Sequence, residues 1–150
     1  RPAMPLLGRE PGTQVFRELD EHPEDERFPG VVVLRLDGGL FFATSDALED
    51  RIREVAQSTP GVTGVVLDCE GIDFIDSQGA AKMREIVELA EHASLTLRLA
   101  RVKPAVTEVL DRDGVLDRIG VERIHGNVER AVQAQLAHPP DGDHDRHRPG

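Results

Sequence analysis

Three aliphatic runs, Val31-Val32-Val33-Leu34-Arg35-Leu36, Val65-Val66-Leu67 and Leu95 to Ala100, constrain this chain more than any other feature. The first is β-branched and almost wholly apolar, the pattern of a strand covered on both faces. The second has the same character within Val62 to Cys69, and the third alternates Leu95, Leu97 and Leu99 with Thr96 and Arg98. Between the runs the apolar period turns helical. Leu48, Ile52, Val55 and Thr59 recur at helical spacing behind a cap at Thr44 or Ser45, and Pro60-Gly61 stops the segment. Ala80, Met83, Val87 and Ala90, with Ile86 beside them, form the face of a second helix opened by Asp76 or Ser77.

The flanking segments complete the pattern. Thr13 to Leu19 predicts a short strand, and Asp37-Gly38-Gly39 a tight turn or a bulge before a short strand at Leu40-Phe41-Phe42. Pro104 suits a first helical position ahead of Val106, Val109 and Leu110, with Gly114 just past the end. Val121 to Ile124 predicts a small strand, and Asn127 caps a last helix through Val128, Val132 and Leu136. Strands first, then alternating helix and strand, predict an α/β fold: a single mixed β-sheet with helices packed on it. Right-handed crossovers make the strands at 40–42, 65–69 and 95–100 parallel. Residues 1–12, with Pro2, Pro5, Gly8 and Pro11-Gly12, are expected to be a flexible arm. Residues 13–137 form the domain, and 138–150 are expected to be a disordered tail without apolar anchors.

Composition removes several functions. With 18 Lys+Arg against 28 Asp+Glu the net charge is −10, which argues against a nucleic-acid partner. Five Phe with no Trp or Tyr leave few means of stacking bases. The single Cys69 excludes an internal disulfide framework and a Cys-rich zinc site, and suits a reducing compartment. No apolar run approaches the roughly 20 residues that span a bilayer, and no signal peptide opens the chain. The start at Arg-Pro-Ala, without an initiator Met, leads us to expect a piece of something longer.

In parallel sheets ligands sit at the carboxyl ends of strands, where the following helices begin. Three loops meet that description: Ala43-Thr44-Ser45, Glu70 to Gly79 and Arg101-Val102-Lys103. The middle loop is the densest, with Asp68, Glu70, Asp73 and Asp76 running into Asp76-Ser77-Gln78-Gly79. Asp76 can accept from the free N–H groups of the first helical turn, leaving the Ser77 hydroxyl near solvent. The four acids could hold Mg²⁺, but a solvated acidic loop with one helix cap is the simpler reading. No Gly-x-Ser-x-Gly elbow surrounds Ser77, so nucleophilic catalysis is not expected. Arg101 and Lys103 are the best anion-contact candidates, and the Phe41-Phe42 pair is expected in the core.

Leu67-Asp68 through Asp76-Ser77-Gln78-Gly79 resembles the strand–loop–helix of STAS domains, found in sulfate transporters and anti-sigma factor antagonists. Two further blocks, Val33 to Ala43 and Leu99 to Pro104, resemble the transporter branch, and the match covers roughly Val15 to Leu136. The resemblance implies a non-catalytic regulatory domain on the cytoplasmic face of the cell membrane, part of a SulP-type transporter of sulfate-like anions. Its implied partners are the transmembrane domain of the same transporter and a regulatory protein or kinase. In the antagonist branch the serine after this Asp is phosphorylated, which maps onto Ser77. A second Ser or Thr precedes the Gly there, and Gln78 holds that position here. A freestanding phospho-switch at Ser77 is therefore the alternative reading. Nucleotide binding in the family implies GTP, GDP or ATP as a regulatory ligand near Thr44, Ser45, Asp76, Ser77, Gln78, Gly79, Arg101 and Lys103, with no metal site.

Overall fold

The aliphatic runs become the strands of one four-stranded layer in a computed structural model, which describes residues 4–138. The expected tail lies outside the described residues from 139 onward, as do residues 1–3. In chain order the elements are β1 (Leu7–Arg9), β2 (Phe16–Glu18), β3 (Val31–Leu40), α1 (Phe42–Ser58), β4 (Gly64–Ile75) and α2 (Ser77–His92). There follow β5 (Thr96–Ala100), α3 (Pro104–Arg112), α4 (Val115–Ile119), a 3₁₀ turn (Val121–Arg123), β6 (Ile124–His125) and α5 (Val128–Ala137). The sheet order is β3-β4-β5-β6, with every neighbouring pair parallel.

Strand alternation sorts the side chains onto two faces. Leu34, Leu36, Val65, Leu67, Cys69, Leu97 and Leu99 join the larger core with Leu48, Ile52, Met83, Ile86, Val106 and Ile119 from α1 to α4. Val33, Val66 and Ala100 point the other way, against Val128, Ala131 and Val132 of α5 and Leu7 of β1. Both faces are therefore covered, which is why these runs are almost continuously apolar.

The parallel core and packed helices match the expectation, and the antiparallel strands form a ribbon of their own. β1 pairs with β2, and an isolated bridge from Leu6 to Leu34 and the bond from Arg35 N to Pro5 O at 3.1 Å tie it to β3. Part of the expected arm is thus ordered: Met4 and Leu7 are buried and β1 is a strand. The flanking prolines and glycines read as a tether because the pairing partner lies in another segment.

Of the two readings of Asp37-Gly38-Gly39, the turn is not formed and the bulge is: these residues lie within strand at two register shifts. β3 runs unbroken to Leu40, α1 starts at Phe42, and its N-cap is Phe41 with no side-chain capping bond. β4 likewise continues six residues past Cys69 through most of the expected acidic loop. Twelve residues of β4 face ten of β3, and two register shifts absorb the difference. Both shifts lie in the carboxyl halves of the strands, where each bulge re-aims the side chains that follow it.

Candidate functional site

Four strands end at one edge of the parallel sheet, and each is followed by a helix start. β3 leads into α1, β4 into α2, β5 into α3 and β6 into α5. Two of these starts are capped by side chains. Asp76 Oδ1 accepts from Gly79 N at 2.7 Å, and Asn127 Oδ1 accepts from Arg130 N at 2.8 Å. Pro104 opens α3, where its missing N–H costs no helical bond.

The α2 start is pressed against β3. A Cβ on Gly79 would lie 2.0 Å from the Leu40 carbonyl oxygen, so only glycine fits. Asp76 is half-buried, Ser77 and Gln78 are exposed, and Gly79 is buried. The capping bond belongs to Asp76, so the helix start does not depend on the Ser77 hydroxyl. At the start of α1 Thr44 is half-buried, while Ser45 is fully buried and its hydroxyl has no hydrogen-bond partner among the described residues.

The basic residues are already engaged. Arg101 Nε donates to Asp68 Oδ1 at 3.0 Å and Arg101 Nη2 to Asp68 Oδ2 at 2.8 Å, a two-pronged pair. This pairing raises the Arg101 pKa against the opposing effect of burial. Arg101 also adopts φ +58, in the left-handed region that non-glycine residues rarely enter. Its backbone N donates to His125 O at 3.1 Å, fastening the turn to β6. Lys103 pairs with Asp73, and that carboxylate raises the lysine pKa. A crevice of about 240 Å³ opens beside Arg101, between Gln14, Val15 and Phe16 on one side and Asn127 and Val128 on the other.

The four acids of the motif are divided among separate tasks. Asp68 turns inward to Arg101, Asp73 meets Lys103, Asp76 caps α2, and Glu70 is exposed. Among the described residues no group of three or more His, Cys, Asp or Glu could hold a metal ion. Cys69 is buried, and burial followed by the Asp68 charge pushes its thiol up to about 12, which leaves it unreactive.

Phe41 and Phe42, expected in the core, stand in solvent at 46% and 56% exposure. Phe74, which the sequence did not single out, joins them at 53%, and its ring lies 5.5 Å from that of Phe41. Lys82 bridges α2 to α1 through Asp46 at 3.3 Å and Glu49 at 3.1 Å, and its ammonium lies 5.8 Å from the Phe42 ring centre. Another residue missed by sequence is Arg98, buried on the α5 face. Its Nε donates to Gln135 Oε1 at 2.8 Å, and its Nη1 donates to His125 Nε2 at 3.2 Å.

The STAS domain model matches residues 22–131, and the chain belongs to that family. STAS domains are non-catalytic modules. The chain is 29% identical over 141 residues to high affinity sulfate transporter 2 of Stylosanthes hamata, covering 88% of this chain and 21% of that protein. It is 27% identical over 143 residues to sulfate transporter 1.3 of Arabidopsis thaliana, covering 89% and 22%. It thus spans about a fifth of the length of these relatives.

Among solved structures, the murine Solute Carrier 26 family member A9 anion transporter, inward-facing, superposes with a TM-score of 0.79 at 17% identity, over 91% of this chain and 22% of that one. The SulP transporter STAS domain from Vibrio cholerae gives 0.64 at 19% identity, over 79% and 90%. The unphosphorylated anti-sigma factor antagonist SpoIIAA gives 0.59 at 19% identity, over 77% and 96%. At these identities the structures establish a shared fold. No helix among the described residues is long and apolar enough to cross a membrane.

Proposed function

We propose that this chain is the regulatory and interaction domain of a SulP-type transporter of sulfate-like anions, carried on the cytoplasmic face of the cell membrane. One observation carries the reading: nearly nine-tenths of the chain aligns with a fifth of each sulfate transporter, so the relatives contain this unit within a much longer protein. Its first partner in this reading is the transmembrane domain of the same polypeptide. The domain itself performs no chemistry, and it acts by binding. Sequencing the complete reading frame tests this. Hydrophobic spans upstream of Arg1 support it, whereas a gene ending at the bounds of this domain favours the freestanding phospho-switch.

Regulation in this reading falls on Ser77, which is exposed at the first residue of α2 and is not needed for the cap. A kinase would find the hydroxyl accessible. A regulatory nucleotide such as GTP, GDP or ATP would meet Thr44, Ser77 and Gln78 at the same rim. Its phosphates would compete with Asp68 for Arg101 and with Asp73 for Lys103, while Ser45 and Gly79 are buried. Weak binding is expected for that reason. Amide shifts confined to these residues on titrating GTP check it, and no shifts at millimolar nucleotide remove the nucleotide from the reading.

A further inference from the structure

Three of the five phenylalanines stand in water at one end of the molecule, while the other two, Phe16 and Phe28, pack half-buried on each other. Their placement follows from the strand geometry. Gly39 pairs with Phe74 just after a register shift that leaves Asp73 without an opposite residue. That bulge breaks the alternation, so Asp73 and Phe74 are both exposed and Ile75 returns to the core. Phe41 and Phe42 follow directly at the junction of β3 and α1. Exposed apolar clusters with polar rims mark binding surfaces.

The rim is acidic. Asp37, Glu70, Asp73, Asp76 and Asp46 lie on the same strand ends and helix starts; Asp46 pairs with Lys82 and Asp73 with Lys103, so Asp37, Glu70 and Asp76 carry the excess. The whole chain carries −10. Such a rim repels an anionic lipid surface and attracts a basic polypeptide. We infer that Phe41, Phe42 and Phe74 form a docking surface for a cationic amphipathic polypeptide segment, its apolar side on the rings and its Lys and Arg side chains on the acidic rim. This rests on the transporter reading for where the segment comes from. Cytoplasmic loops of membrane domains carry an excess of Lys and Arg, the chemistry this surface selects.

The test uses this chain and three synthetic peptides of equal length: an amphipathic Leu/Lys helix, its Leu/Glu counterpart, and a Lys/Ser peptide without an apolar side. The Leu/Lys peptide should bind at least about tenfold more tightly than either control, and added salt should weaken it. Phe41→Ser combined with Phe74→Ser should lower that affinity about tenfold with an unchanged melting temperature. Should the double variant melt early, amide shifts on the unsubstituted chain decide. Shifts at 37–46 and 70–78 support the inference, and shifts centred on α5 overturn it.

Equal binding of the Lys/Ser peptide overturns it in favour of charge alone. Binding of phosphatidylglycerol vesicles without peptide overturns it in favour of lipid. A dimer that sediments with the unsubstituted chain and vanishes in the double variant overturns it in favour of a second copy. None of these outcomes touches the transporter reading, which the reading frame decides.

Discussion

Asp68 keeps 2% of its side-chain surface in water in the middle of β4, whereas Arg101 keeps 39%. That inequality sets what each removal leaves behind. Without Arg101, the Asp68 carboxylate stays buried with the Glu70 N–H at 3.2 Å, so Arg101→Ala should cost about 3–5 kcal/mol. Without the Asp68 charge, Arg101 turns to water, so Asp68→Asn should cost only about 1–2 kcal/mol. Urea midpoints of the two variants test the order, and the reverse order would refute it. His125 offers a second residue-scale test. Burial, then the nearby Arg98 charge, lowers its pKa from 6.5, so the folded protein resists a proton that the unfolded chain accepts. Stability is therefore full above pH 6.5 and declines as pH falls below it. His125→Gln should flatten that decline, as thermal melts between pH 7 and 5 would show. Sequence singled out Asp68 and Arg101 separately but did not join them, because the chain gives spacing along itself and not the register that sets Asp68 beside Ala100. It placed Phe41 and Phe42 in the core by residue type, and only the strand-end geometry turns them outward.

The elements most legible in the sequence are those whose signals are local. Pro104, Asp76 and Asn127 each start the helix expected of them, and the three aliphatic runs all lie in strands or at their edge. The misjudged stretches depend on partners elsewhere in the chain. Glu70 to Ile75 reads as an acidic loop until β3 supplies a ladder, and Leu7 to Arg9 reads as a tether until β2 does. The α2 start gives an element-scale prediction with an internal control. Asp76→Ala removes the capping bond and should cost about 0.5–2 kcal/mol. Gly79→Ala drives a methyl into the Leu40 carbonyl and should cost about 1–3 kcal/mol or more. Ser77→Ala, between them, touches neither device and should stay within about 0.5 kcal/mol of the parent. Chemical denaturation of the three variants checks this, and a Ser77→Ala loss as large as that of Asp76→Ala would show that the hydroxyl braces the helix.

At the scale of the whole molecule, stability and surface charge are carried by different parts. The core lies on the two faces of the sheet, whereas the strand ends hold an acidic rim with exposed rings and an exposed serine. A change of charge at Ser77 therefore alters the potential of the rim without reaching the packing. Phosphate would add about −1.5 to −2 charges three residues from Phe74. The α2 dipole favours a negative group at that position, which offsets repulsion from Asp76. Ser77→Glu should accordingly leave the circular dichroism spectrum and melting temperature nearly unchanged. Under the proposed transporter reading, Ser77→Glu in the full-length protein should change the transport rate, and Ser77→Ala should keep the basal rate. With a basic partner on the rim, Ser77→Glu should also tighten docking of a Leu/Lys helix by about two- to tenfold in low salt. Raising salt should erase that gain, because screening shortens the reach of an exposed charge to about 8 Å at physiological ionic strength. Transport, melting and peptide affinity measured on the same variants separate regulation from folding. Normal transport by a normally melting Ser77→Glu protein would exclude Ser77 as the switch.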